Sequence, residues 1–510
     1  MMSNRLTYSA SLALARALSR ANQRSIYTGR VVAKVDEEFG DGIENGNLNP
    51  KNLVTRRNMG LVFLPARLQA VAENIIQEYG DRRFRLETKY LISVISDLKV
   101  PDDEDSLSVK RADIKTELEV REKVDSDAHF RHDGIQLKED LDIARDKLSL
   151  MVQGKLSMRR RDWHYYEYDQ RASYLYMAAR LAPNYSCVRT VMKEIHDLDP
   201  DFKPRSVLDF GSGMGTTYWA IDSTWPNTVS EFMNIDISKE QQYLAEKLLC
   251  GGDDMRQTPP GIFHRQYLPP SDKIKYDLVV ASFSLLEQPT REMRASIIEN
   301  LWHKTNDLLV VIERGNRGGF STVNEARHLI LDMCGHDVTK RIHMTPETRP
   351  IFKNQLPDCH VFAPCPHEFN CPRADMTTKK NMDICRFRVT YMPLNLGENR
   401  PPYLKEDFSY VVLRKGPHPS YLDRSCPIRW PRVVEKRKKS NKQVTHRLCC
   451  PNGTLSEATI TRATCGKATY ELAKSCDWGD ILPVKVCDNY IKRGSEVSDS
   501  NKKSSADEID

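Results

Sequence analysis

Apolar and polar positions change rhythm along the chain. In "LPARLQAVAENIIQEYG", Leu64, Leu68, Val71, Ile75 and Ile76 fall on one helical face, and "KYLISVISDLK" continues the helical pattern. Residues 101–148 are densely charged, beginning with "PDDEDS", and predict a solvated helix or a linker. "RRRDWHYYEYDQRASYLYMAARLAPNYSCVRTVMKEI" predicts one or two helices ending near Pro204. Short apolar runs then take over: "RSVLDFGSGMG", "SEFMNIDIS", "KYDLVVASFSLLE" and "NDLLVVIERG". Helix-length segments such as "KEQQYLAEKLL" and "TREMRASIIENLWHK" separate them. Strands alternating with helices predict a doubly wound α/β domain with a parallel sheet. "FSYVVLRKG" offers a later strand, residues 340–400 break the rhythm, and the stretch from "HRLCCPNG" to "ILPV" predicts a small β unit.

Composition sets the boundaries. The chain has 510 residues, 40% hydrophobic and 29% charged, enough for about two to four soluble domains. No run of eighteen apolar residues occurs, so membrane insertion is not expected. Before Asp36 there is no acidic residue, while Arg5, Arg16, Arg20, Arg24 and Arg30 accompany an amphipathic, Ser-rich pattern. That is the composition of a mitochondrial transit peptide, and it predicts the mitochondrial matrix. The expected division is a transit peptide over 1–35, a helical N-terminal region with a charged linker over 36–180, and the α/β domain over 181–420 with a cysteine-rich insertion at 340–400. A C-terminal β extension over 421–492 and a disordered tail over 493–510 complete it.

The glycine turn carries the first chemistry. Val207, Leu208 and Phe210 form a strand with Asp209 at its end, followed by Gly211, Gly213 and Gly215. Glycines let the backbone turn sharply and approach a ligand, and the next helix offers free N–H groups. A dinucleotide fingerprint needs its third glycine one residue later, where Thr216 stands. The spacing matches instead the D/E-x-G-x-G-x-G turn of class I S-adenosylmethionine (SAM) methyltransferases. In that family a second acid, at the end of the next strand, binds the ribose hydroxyls, and Asp236 in "NIDIS" stands at that place. Asp236 also suits a helix cap. The aromatic tetrad that clamps a target base in many nitrogen-directed members is missing, since the corresponding stretch reads "ASFSLLE".

Thirteen cysteines carry the second chemistry, ten of them between Cys359 and Cys487. In a reducing compartment such clustering favours metal ligation over disulfides. Cys365, Cys371 and Cys385 follow C-x5-C-x13-C, unlike the close pairs of structural zinc sites. Iron–sulfur ligand sets tolerate wider spacing and often include Cys-Pro. Cys449 and Cys450 offer a fourth thiolate. From the residues alone three readings stand: an iron–sulfur cluster, zinc with help from His360 or His367, and unligated thiols.

"VLDFGSGMGTTYWA", "VIERGNRGGF", "VFAPCPHEFNCP" and "RLCCPNG", in this order, resemble the methyltransferase-like mitochondrial protein family that assists small ribosomal subunit assembly. The resemblance runs from roughly residue 60 to 487. It implies a class I SAM-methyltransferase (Rossmann-like) doubly wound sheet, with a helical N-terminal region, a cluster-binding insertion and a small C-terminal β unit. It implies SAM at Asp209, Gly211, Gly213, Gly215 and Asp236. It also implies a 4Fe–4S cluster on Cys365, Cys371, Cys385 and one of Cys449 and Cys450, with Cys359 and Cys426 as outside candidates. The implied partner is the mitochondrial small ribosomal subunit and its rRNA, bound by a monomer that supports mitochondrial translation. The alternative is an active SAM-dependent rRNA methyltransferase. Net charge is only +6, so RNA contact would fall to local basic segments: "KRKK" at 436–439, "RRR" at 159–161 and the aromatic "WHYYEY" that follows.

Overall fold

The computed structural model describes residues 27–96, 108, 110–118, 148–149, 151–153, 167–252, 258–271, 273–336, 358–374, 384–396, 401–419 and 430–487. "RRR", most of "WHYYEY", Cys426, the expected tail and the first 26 residues lie outside them. The chain divides into two compact units.

The first unit draws on described residues 27–56, 430–450 and 454–487. Its strands are β1 (Tyr27–Val35), β11 (Arg432–Val433), β12 (Lys438–Ser440), β13 (Gln443–Cys449), β14 (Leu455–Thr461) and β15 (Val484–Cys487). They form one sheet in the order β11-β13-β14-β1-β15, with β12 paired to β13. β1 runs parallel to β14 and antiparallel to β15. Residues 27–35, the last nine of the expected leader, form β1 in this sheet. Helices α1 (Glu37–Glu44), α9 (Arg462–Cys465) and α10 (Lys467–Ser475) accompany the sheet. Ala33, Val444, Leu448, Ile460, Leu472 and Cys476 share its core.

The second unit, residues 57–429 with 451–453, holds the α/β domain. Its described helices are α2 (Ala66–Tyr79), α3 (Arg82–Ser96), α4 (Gln170–Leu198), α5 (Thr216–Asp222), α6 (Lys239–Leu249), α7 (Arg291–His303) and α8 (Arg317–Met333). Its described strands are β2 (Leu61–Val62), β3 (Ser206–Phe210), β4 (Glu231–Ile235), β5 (Ile262–Arg265), β6 (Tyr276–Ser282), β7 (Thr305–Arg314), β8 (Cys359–Ala363), β9 (Phe387–Tyr391) and β10 (Leu404–Lys415). The sheet order is β2-β9-β10-β7-β6-β3-β4-β5, with β8 also on β10. β3 to β7 are parallel, and β10 runs antiparallel to β7. That order, reversing direction beside β3 and closed by an antiparallel strand, is the class I methyltransferase arrangement expected from the sequence.

Both faces of the sheet are buried, which explains apolar runs in place of alternation. Val207, Leu278, Val280 and Val310 point into a core shared with α2 to α6. Leu208, Val279, Ala281 and Leu309 point into the opposite core, shared with α7 and α8. α4 is buried along most of its 29 residues, so its sequence shows no single apolar face. α2, α3 and α4 cover one side of the sheet.

Candidate functional site

β3 delivers the chain to the glycine turn at the carboxyl end of the sheet. Gly211, Gly213 and Gly215 have φ of +69°, +48° and +78°, the left-handed region that costs glycine least. At Gly211 a Cβ would also come within 2.3 Å of the Ser284 Cβ. The Gly211 and Ser212 amides both donate to the Ile235 carbonyl, at 2.8 and 3.0 Å, strapping the turn to β4. Asp236 fastens it further: Oδ2 accepts from the Gly213 amide at 2.7 Å and Oδ1 from the Ser238 amide at 2.9 Å. The residue assigned from sequence to a ribose therefore also holds the turn in shape. Each oxygen keeps acceptor capacity for a ligand hydroxyl.

Asp209 is completely buried in β3. Burial raises its carboxyl to about 7, opposed by the Thr217 hydroxyl and reinforced by the Asp236 charge. Burial raises Asp236 as well, against the two amides it accepts. All five residues expected around SAM are thus gathered where β3 and β4 end. A cavity of about 370 Å³ lies at the first turns of α4 and α6, lined by Gln170, Ser173, Tyr174, Lys239, Glu240 and Tyr243. Its Lys239 stands three residues past Asp236.

Two further acids at this edge escaped sequence reading. Glu313, near the end of β7, accepts the Leu285 and Leu286 amides on one oxygen, each at 3.0 Å. Burial raises it to about 7 despite those bonds and the Arg314 charge. Glu287 is raised to about 7 by burial, with Arg314 opposing. A strand-end acid in "VIERG" and another in "SLLEQ" were the available signals. Phe283 begins the turn that Glu313 braces. Its φ is +58°, unusual for a side-chain-bearing residue, and its ring is buried with the Arg180 guanidinium 5.7 Å from the centroid.

The cysteines sort by position. Cys365, Cys371 and Cys385 line one small cavity, closed by α8 on one side and by Ser409, Tyr410 and Val411 of β10 on another. Burial pushes the Cys371 thiol up to about 11, and the neighbouring Cys365 adds to the shift. Cys359 lies apart, fully buried, its thiol donating to the Ile330 carbonyl at 3.9 Å. His360 bonds the Gly416 carbonyl through Nδ1 at 2.8 Å, and His367 stacks on Phe369. Neither histidine lines the cavity. Among the described residues no three His, Cys, Asp or Glu side chains converge as a single ion would need. In the other unit, Cys450 belongs to the apolar core and Cys449 does not.

The basic segment divides too. Lys436, Lys438 and Lys439 are exposed. Arg437 is committed internally, donating to the Ser475 and Cys476 carbonyls at 3.1 and 2.7 Å.

The family profile described as Mitochondrial small ribosomal subunit Rsm22 matches residues 170–483, a span that includes the glycine turn and all five candidate cysteines. The chain belongs to this family. Among its family relatives, the human (Homo sapiens) protein named ribosome assembly protein METTL17, mitochondrial, is 36% identical over 348 residues, 68% of this chain and 70% of the relative. The Saccharomyces cerevisiae protein named ribosome assembly protein RSM22, mitochondrial, is 23% identical, covering 74% of this chain and 79% of the relative. A solved magnesium protoporphyrin IX methyltransferase from Synechocystis PCC 6803 with bound SAH covers 46% of this chain and 83% of its own, at 11% identity and a TM-score of 0.26. That overlap is too loose to carry weight beside the strand order. No described helix is long and apolar enough to cross a membrane.

Proposed function

We propose that this chain is an rRNA-binding assembly factor of the mitochondrial small ribosomal subunit, acting in the matrix, with a SAM pocket and a 4Fe–4S cluster. Family membership across residues 170–483 is the observation that carries the reading. In this reading Asp236 holds the glycine turn and the ribose together, and the amides of the turn meet the methionine part. Cys365, Cys371 and Cys385 supply three thiolates, and the fourth comes from the Cys449–Cys450 pair. Cys449 is the better donor, because Cys450 is packed in its unit's core. The donor set suits a cluster: three thiols line one cavity without meeting at a point, and a cluster spreads its ligands over several irons. When bound, the cluster supplies cross-linking energy and a redox-sensitive centre.

Methyl transfer is the less supported reading. The aromatic nearest the expected clamp position, Phe283, is buried against Arg180 and not offered to a base. The reading is tested by sedimenting tagged chain with immature small subunits from mitochondria. Wild type should co-sediment with small-subunit rRNA, and Cys365→Ser and Cys371→Ser should lose both abundance and rRNA together. Wild type that leaves the small-subunit fractions would contradict the proposal.

A further inference from the structure

Arg327 projects from α8 into the lining of the three-cysteine cavity and is 2% exposed. Its Nη2 donates to the His367 carbonyl at 2.8 Å. Its Nε and Nη1 are buried and meet no acceptor among the described residues. A buried cation with donors left over is costly, and native proteins seldom leave one uncompensated. Every other residue lining the cavity is neutral apart from the thiols themselves. A permanent positive charge with two spare donors thus lines the same cavity as three sulfurs.

We infer that Arg327 is the counter-charge of an anion held on Cys365, Cys371 and Cys385, and that it sets the reduction potential of that anion. The inference rests on the 4Fe–4S reading above. A cluster with four thiolate ligands is a net anion, and reduction by one electron makes it more so. A cation fixed in a low-dielectric site favours the reduced form, because its field is weakly screened there. Hydrogen bonds that Nε and Nη1 would donate to a cluster sulfur would act in the same direction. Loss of the charge should therefore make the cluster harder to reduce without removing any ligand.

The test uses the full chain purified anaerobically, titrated with dithionite and followed by electron paramagnetic resonance. Arg327→Gln should keep wild-type iron and acid-labile sulfide but shift the midpoint to more negative potential. The expected shift is at least a tenfold change in the oxidised-to-reduced ratio, ~59 mV for a one-electron couple. Arg327→Lys should restore most of it. Asn324→Asp, which adds a negative charge to the same lining from a half-buried position, should shift the midpoint the same way with Arg327 intact. That variant decides the matter if Arg327→Gln does not fold. Loaded variants with unchanged potentials would overturn the inference and leave the cluster standing. Wild type lacking labile sulfide would overturn the cluster reading itself, and the inference with it.

Discussion

At Asp236 one carboxylate accepts the amides of Gly213 and Ser238 and is also the proposed ribose acceptor. Asp236→Ala should weaken SAM binding about tenfold or more by calorimetry, since hydrogen bonds to a charged group contribute roughly 1.5–3 kcal/mol. Wild-type affinity in that variant would remove Asp236 from the pocket. Gly211→Ala tests the turn from the other side. Its Cβ meets Ser284 at 2.3 Å in a backbone region closed to most side chains. About 2 kcal/mol of lost stability is expected in denaturant unfolding. The glycines and the two aspartates were legible in the sequence because a turn is a local object with fixed spacing. Arg327, Glu287 and Glu313 were not, because what makes them notable is which distant residues surround them.

At the scale of elements, β3 and β7 and the turn after β6 bring Asp209, Glu313 and Glu287 to one edge, each raised to about 7 by burial. The unfolded chain gives up these protons near pH 4, whereas the folded chain holds them to about pH 7. Deprotonation thus favours the unfolded state, so their contribution to stability should fall from pH 4 to 7 and then level off. Denaturation midpoints of ligand-free protein at pH 5 and pH 8 check this, and Asp209→Asn should flatten the profile. SAM carries a sulfonium cation, so its affinity should rise over the same range as the carboxyls ionise. The hairpin of β12 and β13 gives a second test. Replacing Lys436, Lys438 and Lys439 with Gln should weaken RNA binding and make its salt dependence shallower, by about 0.7 in the slope for each phosphate no longer neutralised. Arg437→Gln should instead act on stability, through the two carbonyls it holds. The long apolar strands and the helices between them were readable from periodicity. β5, β8 and β9 were not, because His264, His360 and Arg388 interrupt their apolar stretches.

Over the whole molecule, sequence order misleads about which segments belong together. Residues 27–56 fall in one unit with residues beyond 430, and β1 joins a sheet whose other strands all lie there. Nothing local marks β1 as the neighbour of both β14 and β15, since that pairing spans most of the chain. The α/β domain was legible as a class because strand–helix alternation is itself sequential. On the proposed function, a chain of this fold carries a 4Fe–4S cluster on Cys365, Cys371, Cys385 and a thiol of the Cys449–Cys450 pair. Iron and acid-labile sulfide measured in anaerobically purified full-length protein decide whether it does. About four of each per chain are predicted, lost in Cys365→Ser, Cys371→Ser and Cys449→Ser but retained in Cys450→Ser. Stoichiometric zinc without labile sulfide would contradict the cluster.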